Sequence, residues 1–327
     1  MAGVAVGSGR TVNASLISGD DGVPGGTRRL LGRIFDGEQP VIAVDLPEVV
    51  DWLTDSGISA IGLAEVMSVE SGAVVAVSAH PATVGLALKS QPGVRKIHVV
   101  QSVHSGDPHT VRYTVAQLLA SDPLLCAQRQ DEIAATIKSS GGAISFRGVG
   151  TDLAVRSRGR AGLIHLDDPI IKPGECLSAH AFFEIGLANL KADEDSAFLV
   201  NGHCRAIGMI ASRDPRLRAG PEPAEWVQHR GEIARTGVDL HISDNQLIKC
   251  VLGGRDIKND IARWTRDHGL RITECSIGTN PQVLTGGDWS LNSLMNEGAR
   301  GIHVGFGRPI DGIHFDFICP EVALVAG

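Results

Sequence analysis

The chain has 327 residues, 43% of them hydrophobic, which suits a globular protein of about two ordinary domains and argues against intrinsic disorder. Its net charge is −7 and its 30 Lys and Arg residues are scattered, so we expect no nucleic-acid partner. No apolar run approaches the roughly 18–20 residues that cross a bilayer, and the N-terminus does not look like a signal peptide, so we expect no membrane partner and a cytoplasmic location.

The first part of the chain predicts a loose arm followed by an α/β domain. Residues 1–28 are rich in Gly, Ser and Asp, which is typical of a poorly ordered arm. Residues 107–142 are strongly helical in pattern, with an interruption at Pro123 and a Gly-Gly end, and we place the first domain at 29–142. Between arm and helices stand four short apolar runs, which predict a mainly parallel sheet covered by helices on both faces: VIAVDL, SAIGLAEV, GAVVAVSA and KIHVVQSV.

Beyond residue 142 the pattern changes to β-type segments separated by Gly turns. Residues 256–269 and 290–298 read as short helices within this part. The fold class is therefore predicted as α/β: an N-terminal α/β domain with a mainly parallel sheet, followed by an antiparallel-rich α+β domain over 143–327. The six cysteines include no Cys-x-x-Cys pair, so we expect reduced, mostly buried thiols.

A hairpin near the C-terminus, GIHVGFGRPIDGIHFDF at 301–317, carries the clearest chemical signal. His314 and Asp316 are two residues apart on a strand, so their side chains point to the same face. If the hairpin is symmetric about Arg308–Pro309, His303 lies directly opposite His314 on that face. Two imidazoles and a carboxylate at this spacing are what a divalent ion such as Zn, Mn, Co or Fe requires.

Two glutamates upstream are candidates to complete this site. Glu274 precedes a Gly-Thr-Asn-Pro turn, and Glu297 stands six residues before His303. Either carboxylate could bind metal or act as a general base, and we assign the catalytic role to Glu297. Alone, each would more often be a solvated surface charge.

Two other clusters have weaker claims to a metal. His165 and Asp167 form a second His-x-Asp pair, and His104, Asp107 and His109 stand together in the first domain. Neither cluster has a third element at hairpin spacing. HExxH, GxSxG, Walker A and GxGxxG motifs are all missing from the sequence, which disfavours zincin, serine-hydrolase, P-loop and dinucleotide-binding functions.

Residues 140–320 resemble the aminopeptidase T-like metallopeptidases, whose second domain is also the scaffold of 2,5-dihydroxypyridine dioxygenase. The resemblance rests on five motifs in the family's order: GVGTDLAVR, FFEIGLANLKADEDSAFLVNG, ECSIGTNP, GIHVGFG and IHFDF. It implies metal ligands at Glu184, Glu274, His303, His314 and Asp316.

The resemblance also implies an activity. A two-metal site of this family would activate a water and remove the N-terminal residue of a peptide or cleave a related amide, with Zn, Co or Mn as the ion. It further implies a homodimer.

Two alternatives stay open. One is a mononuclear Fe(II) ring-cleaving dioxygenase that uses two histidines and one carboxylate. The other is a non-catalytic peptide-binding protein that has kept the fold.

Overall fold

The computed structural model describes residues 28–157, 164–188, 198–214, 222–265, 269–308 and 313–326. The predicted arm at 1–28 lies outside these ranges except for its last residue. Arg28 begins the first helix. The fold is the predicted mixed α/β architecture, with one parallel sheet and two antiparallel sheets in the described residues.

The first half of the chain contains helices that alternate with short strands. Its helices are α1 (Arg28–Gly32), α2 (Pro47–Asp55), α3 (Val84–Leu88), α4 (Pro108–Ala120) and α5 (Pro123–Ser139). Its strands are β1 (Val41–Val44), β2 (Ala60–Gly62), β3 (Gly72–Ser78) and β4 (Val94–Val100). Short 3₁₀ helices follow several of them, at Arg33–Phe35, Leu63–Ser68, Pro81–Thr83 and Gln101–Val103.

The second half is richer in strands. It begins with β5 (Ala143–Gly148), β6 (Thr151–Ser157), β7 (Cys176–Ser178), a 3₁₀ turn at Ala179–Phe182, β8 (Glu184–Ala188), β9 (Phe198–Ala206) and β10 (Gly208–Arg213). It continues with α6 (Ala224–Thr236), β11 (Val238–Ser243), β12 (Gln246–Leu252), β13 (Arg255–Asp256) and α7 (Lys258–Thr265). It ends with β14 (Ile272–Gly278), α8 (Gln282–Gly286), α9 (Leu294–Glu297), β15 (Gly301–Arg308), β16 (Ile313–Pro320) and β17 (Ala323–Ala326).

The apolar runs of the first half form a parallel sheet in the order β2-β1-β3-β4-β7. In β3, Val75 and Val77 enter the core under α1, α2 and α4, whereas Val74 and Ala76 enter a second core under α3. Because alternate residues point to opposite faces, an unbroken apolar run is required wherever both faces are covered. This explains the sequence pattern from which the sheet was predicted.

The parallel sheet and its core are completed by residues from the later half. Strand β7 pairs with β4. Ile171, Phe182 and Met295 pack into the core beneath the parallel sheet. The domain boundary between residues 142 and 143 stays a prediction, because segments after residue 143 pack into the sheet and core of the first half.

The two antiparallel sheets enclose the third and largest core. One has the order β10-β16-β15-β14-β8, and the other has the order β13-β12-β11-β9-β6-β5-β17. Phe306 of β15 and Phe315 and Phe317 of β16 point into this core. The intervening residues of the same strands therefore point to the opposite face, toward the parallel sheet.

The hairpin register differs from the predicted one. His303 pairs with Ile318, and His314 pairs with Gly307, so the two histidines are not directly opposite each other. The strands end at Arg308 and restart at Ile313, which moves the centre of the turn two residues past the predicted Arg308–Pro309. The resulting register shift is an even number of residues, so both histidines keep the same face.

The only tyrosine, Tyr113 of α4, ties the first half to the segment that carries Glu297. Its hydroxyl donates to Asn296 Oδ1 at 2.5 Å and accepts from the Asp288 amide at 3.0 Å. Asn296 in turn donates to the carbonyls of Asp288 and Leu291. Tyr113 is fully buried, so each of these polar groups depends on its protein partner.

We predict that Tyr113→Phe lowers the free energy of unfolding by about 1–3 kcal/mol, because it leaves the Asn296 oxygen and the Asp288 amide without a partner. Urea denaturation measures this loss. Thr54→Val is the control, since it removes one exposed helix hydroxyl bond to Val50 and should change stability by less than about 0.5 kcal/mol. Equal effects of the two substitutions would contradict the account of Tyr113.

Candidate metal centre

The candidate site lies in a cavity of about 710 Å³ between the parallel sheet and the sheet that contains the hairpin. Ser178 at the end of β7 and Val100 at the end of β4 line one side, and His303, His314 and Asp316 line the other. The carboxyl ends of parallel strands are a common location for ligand sites, because loops with free side chains begin there.

Sheet pairing gathers the metal-ligand candidates. Glu274 of β14, Gly305 of β15 and Asp316 of β16 stand in one row across three strands. A bulge between Ile272 and Glu274 shifts the register of β14, which brings Glu274 to the cavity face while Ile272 points into the core. The middle position of the row has no side chain, and this notch at Gly305 gives room to the His314 ring, whose Nε2 lies 3.4 Å from Glu274 Oε2 and 3.0 Å from Asp316 Oδ1.

The predicted ligands form two groups that share Glu274. Glu184, Glu274 and His303 offer ligand atoms within 4.8 Å of one another, and Glu274, His314 and Asp316 do the same. In the first group His303 Nε2 lies 3.5 Å from Glu184 Oε2 and 3.9 Å from Glu274 Oε1. In the second, His314 Nε2 lies 3.4 Å from Glu274 Oε2. All five ligand residues predicted from the sequence are therefore brought together.

The hydrogen bonds of His314 test whether the residues fit a cation. Its Nδ1 lies 3.0 Å from the Gly307 carbonyl, which can only accept, so Nδ1 carries a proton. Its Nε2 lies 3.0 Å from Asp316 Oδ1, also an acceptor. Two lone pairs at this distance repel each other, so either a proton or a cation must lie between them. A histidine whose other nitrogen donates to a carbonyl is the usual arrangement of a metal ligand.

Glu297 lies beside this centre, next to two histidines that were not predicted as site residues. His180 Nε2 is 3.0 Å from Glu297 Oε2 and 3.1 Å from Glu184 Oε2, and His104 Nδ1 is 3.7 Å from Glu297 Oε1. His104 Nδ1, His180 Nε2 and Glu184 Oε2 are buried without an aligned hydrogen bond. Such close but unaligned donor and acceptor atoms are typical of a site that takes a further ligand.

Burial and mutual charge shift the pKa values in this cluster. Burial alone would lower the pKa of His303, but the Glu274 and Glu184 carboxylates outweigh it and raise the pKa to about 9. The pKa of Glu297 is lowered in spite of burial, because His104 and His180 favour its ionised form. The raised pKa values of His180, His303 and His314 allow protonated imidazoles to balance the ionised carboxylates, whereas burial lowers the pKa of His104.

Glu184 has the opposite shift. Burial raises its pKa above the ordinary value, and the nearby His180 only partly offsets this. Its charged form is therefore the least stabilised of these glutamates, and a cation beside it would favour ionisation.

The two clusters with weaker claims to a metal in the sequence do not form metal sites of their own in the described residues. His104 reaches the site because it follows the end of β4, whereas Asp107 caps α4 by accepting from the Thr110 amide at 3.0 Å. His165 and Asp167 belong to neither group of candidate ligands. The signal that could have found His104 and His180 is their position just after two strands of the parallel sheet.

The chain belongs to the family described as crocagin biosynthetic protein CgnE/B, whose model matches residues 37–326. A comparison with curated proteins gave no match.

Two solved structures are similar at low identity. The fold aligns with 2,5-dihydroxypyridine dioxygenase from Pseudomonas putida KT2440 at a TM-score of 0.47 and 10% identity, over 92% of this chain and 93% of that chain. It aligns with wild-type AmpT from Thermus thermophilus at a TM-score of 0.45 and 15% identity, over 90% of this chain and 94% of that chain. At these values the likenesses carry no inference about activity, cofactor or substrate.

No helix in the described residues is long and apolar enough to cross a membrane.

We predict that Gly305→Ala weakens Zn²⁺ binding about 10–100-fold while the fold is kept. A Cβ at this position would lie 2.5 Å from His314 Cε1 and 2.7 Å from Asp316 Oδ1, so both side chains must move. Competition with a chelating dye measures the affinity.

The matched control is Gly231→Ala in α6, where a Cβ meets no atom within 4 Å. Alanine favours a helix over glycine, so this variant should bind Zn²⁺ like the wild type and be as stable or slightly more so. Equal Zn²⁺ affinity for both variants would show that the notch at Gly305 has no part in metal binding.

Proposed function

We propose that this protein is a metal-dependent hydrolase that cleaves an amide of a peptide or related molecule. The observation that carries the proposal is the pair of ligand groups joined by Glu274, since a shared carboxylate between two sets of N and O donors suits two neighbouring divalent ions. When bound, such ions polarise a carbonyl and acidify a water molecule. The donor set of imidazole and carboxylate suits Zn, Mn or Co.

The protein's own groups divide the remaining work. Glu297 is ionised and lies in the cavity without being a member of either ligand group, so it can accept a proton from the attacking water and pass it to the leaving amine. His104 lies beside its Oε1 and His180 beside its Oε2. Tyr113 fixes the preceding residue, Asn296, so the carboxylate is presented by a rigid segment.

The geometry favours the hydrolase over a single-iron oxygenase. An iron site of the two-histidine type needs both imidazoles on one ion. In the described part of the chain, each candidate group contains only one histidine.

The CgnE/B family description as biosynthetic supports an enzyme that trims or matures a product, in contrast to one for general peptide breakdown. The expected homodimer and cytoplasmic location stay predictions.

One observation favours a second candidate, a peptide-binding protein without ions. His180 Nε2 already lies between Glu184 and Glu297, so protonated histidines alone could neutralise the carboxylates. Metal content separates the two functions.

We predict that protein dialysed against Zn²⁺ or Mn²⁺ holds about two ions per chain. The Glu184→Gln variant should hold about one ion. The Glu274→Gln variant should lose most of the two, because only Glu274 belongs to both ligand groups. His314→Ala should also lower the content sharply. Elemental analysis measures the content, with circular dichroism to check the fold. His165→Ala is the control and should match the wild type; unchanged metal in His314→Ala would refute the assignment.

We predict that Glu297→Gln keeps its metal but lowers amide cleavage about 10²–10⁴-fold, the usual contribution of a general base. Release of the chromophore from amino-acid anilides, together with amine release from short peptides, measures the rate. Glu175→Gln is the control, because this partly exposed carboxylate accepts from the nearby Lys172 amide and does not line the cavity. Wild-type rates in Glu297→Gln would remove the residue from the mechanism.

A further inference from the structure

The cavity has a second wall that the proposed chemistry does not use. Facing the candidate ligands is a surface built almost wholly from the first half, called here the apolar wall. Its members are aliphatic: Pro81, Val84, Leu88, Val100, Val103 and Leu294. No charged side chain from residues 81–103 lines the cavity.

Helix α3 shows that the apolar wall is a separate surface from the protein core. Ala87 is buried in the core beneath α3. Val84 and Leu88, four residues apart, share another side of the helix and line the cavity. Leu88 remains 45% exposed, so protein atoms cover only part of its side chain. This short helix is therefore apolar on two sides, and only one of them is covered by protein.

The end of β4 and the residues after it likewise have some apolar side chains in the core and others in the cavity. Val99 packs into the core beneath the parallel sheet, whereas Val100 points the other way and lines the cavity together with Val103. Among the described residues, Val84, Leu88, Val100 and Val103 belong to no core cluster. Their apolar surface is only partly removed from water, and a ligand that covers it would gain that burial.

We propose that the apolar wall selects the substrate by binding a bulky aliphatic or aromatic side chain adjacent to the amide that is cleaved, with Val84, Leu88 and Val103 as the residues that determine specificity. This inference rests on the proposed hydrolase function. The inference is supported because the apolar wall and the candidate metal ligands line the same cavity. The apolar wall itself offers no hydrogen-bond partner, so a charged or strongly polar side chain placed against it would lose water at a cost in free energy. Arg213 and Asp214, which also line the cavity, are not members of this wall.

The cavity is large enough for this occupant. Its volume of about 710 Å³ lies within the roughly 300–1,000 Å³ of ordinary small-molecule sites, which exceeds what a lone glycine unit would fill. Discrimination should be moderate, because each added methylene in an apolar pocket changes binding only about 10–200-fold at most.

The test is calorimetric binding of three amino-acid amides to the full chain carrying Glu297→Gln, the background for every variant below, so that cleavage does not accompany binding: phenylalaninamide, glutaminamide and glycinamide. Phenylalaninamide should bind at least about tenfold more tightly than the other two. The double variant Val84→Ser/Leu88→Ser should lose about tenfold in phenylalaninamide affinity and keep its glycinamide affinity. Leu125→Ser, which changes a similarly exposed leucine of α5, is the matched control and should behave as the wild type.

Repeating the titrations after treatment with a chelator separates this inference from the proposed function. The preference for phenylalaninamide should persist without metal, because the apolar wall contains no metal ligand. Equal binding of the three amides, or an unchanged phenylalaninamide affinity in the double variant, would overturn the inference. Absence of bound metal would overturn the hydrolase proposal and leave the measured preference intact.

Discussion

Three buried carboxylates meet a fourth, Glu274, whose side chain is 24% exposed, in one small region, and this is the constraint on which the site depends. Glu184, Glu297 and Asp316 are less than a tenth exposed, and Glu274 joins them across the notch at Gly305. Ionised carboxylates cannot remain buried together without compensating positive charge. Protonated imidazoles or divalent cations are the available solutions, and the ordered Nδ1 contact of His314 directs its second nitrogen toward this task.

The scaffold places these charges without disturbing its core. Strands β15 and β16 bury phenylalanines on one face and present polar groups on the other, so one hairpin serves both packing and chemistry. The bulge in β14 aims Glu274 at the notch, and the Tyr113–Asn296 hydrogen bond fixes the segment that ends in Glu297. Residues from both halves therefore form one site, which couples packing of the halves to the geometry of the cluster.

Local patterns in the sequence predicted the elements and the face of the hairpin. Alternation identified His303, His314 and Asp316 as sharing a face, and the parallel sheet followed from unbroken apolar runs. The register was wrong because it depends on where the turn is centred, which no alternation pattern contains. An even shift was harmless, whereas a shift by one residue would have moved His314 into the phenylalanine core.

Long-range features of the site were less accessible. Glu184 was reached only through a family resemblance, since nothing around it in the sequence marks a ligand. His104 and His180 act through contacts with Glu297, which is more than a hundred residues away along the chain, so spacing could not reveal them. Tyr113 is the only tyrosine in the sequence, but its contacts with Asn296 and Asp288 depend on tertiary packing and not on any local pattern.

Anomalous diffraction from crystals grown with Mn²⁺ or Zn²⁺ would locate the ions themselves. We expect two peaks per chain, one among Glu184, Glu274 and His303 and the other among Glu274, His314 and Asp316. No peak in the cavity, or a single peak bound by both His303 and His314, would contradict this expectation.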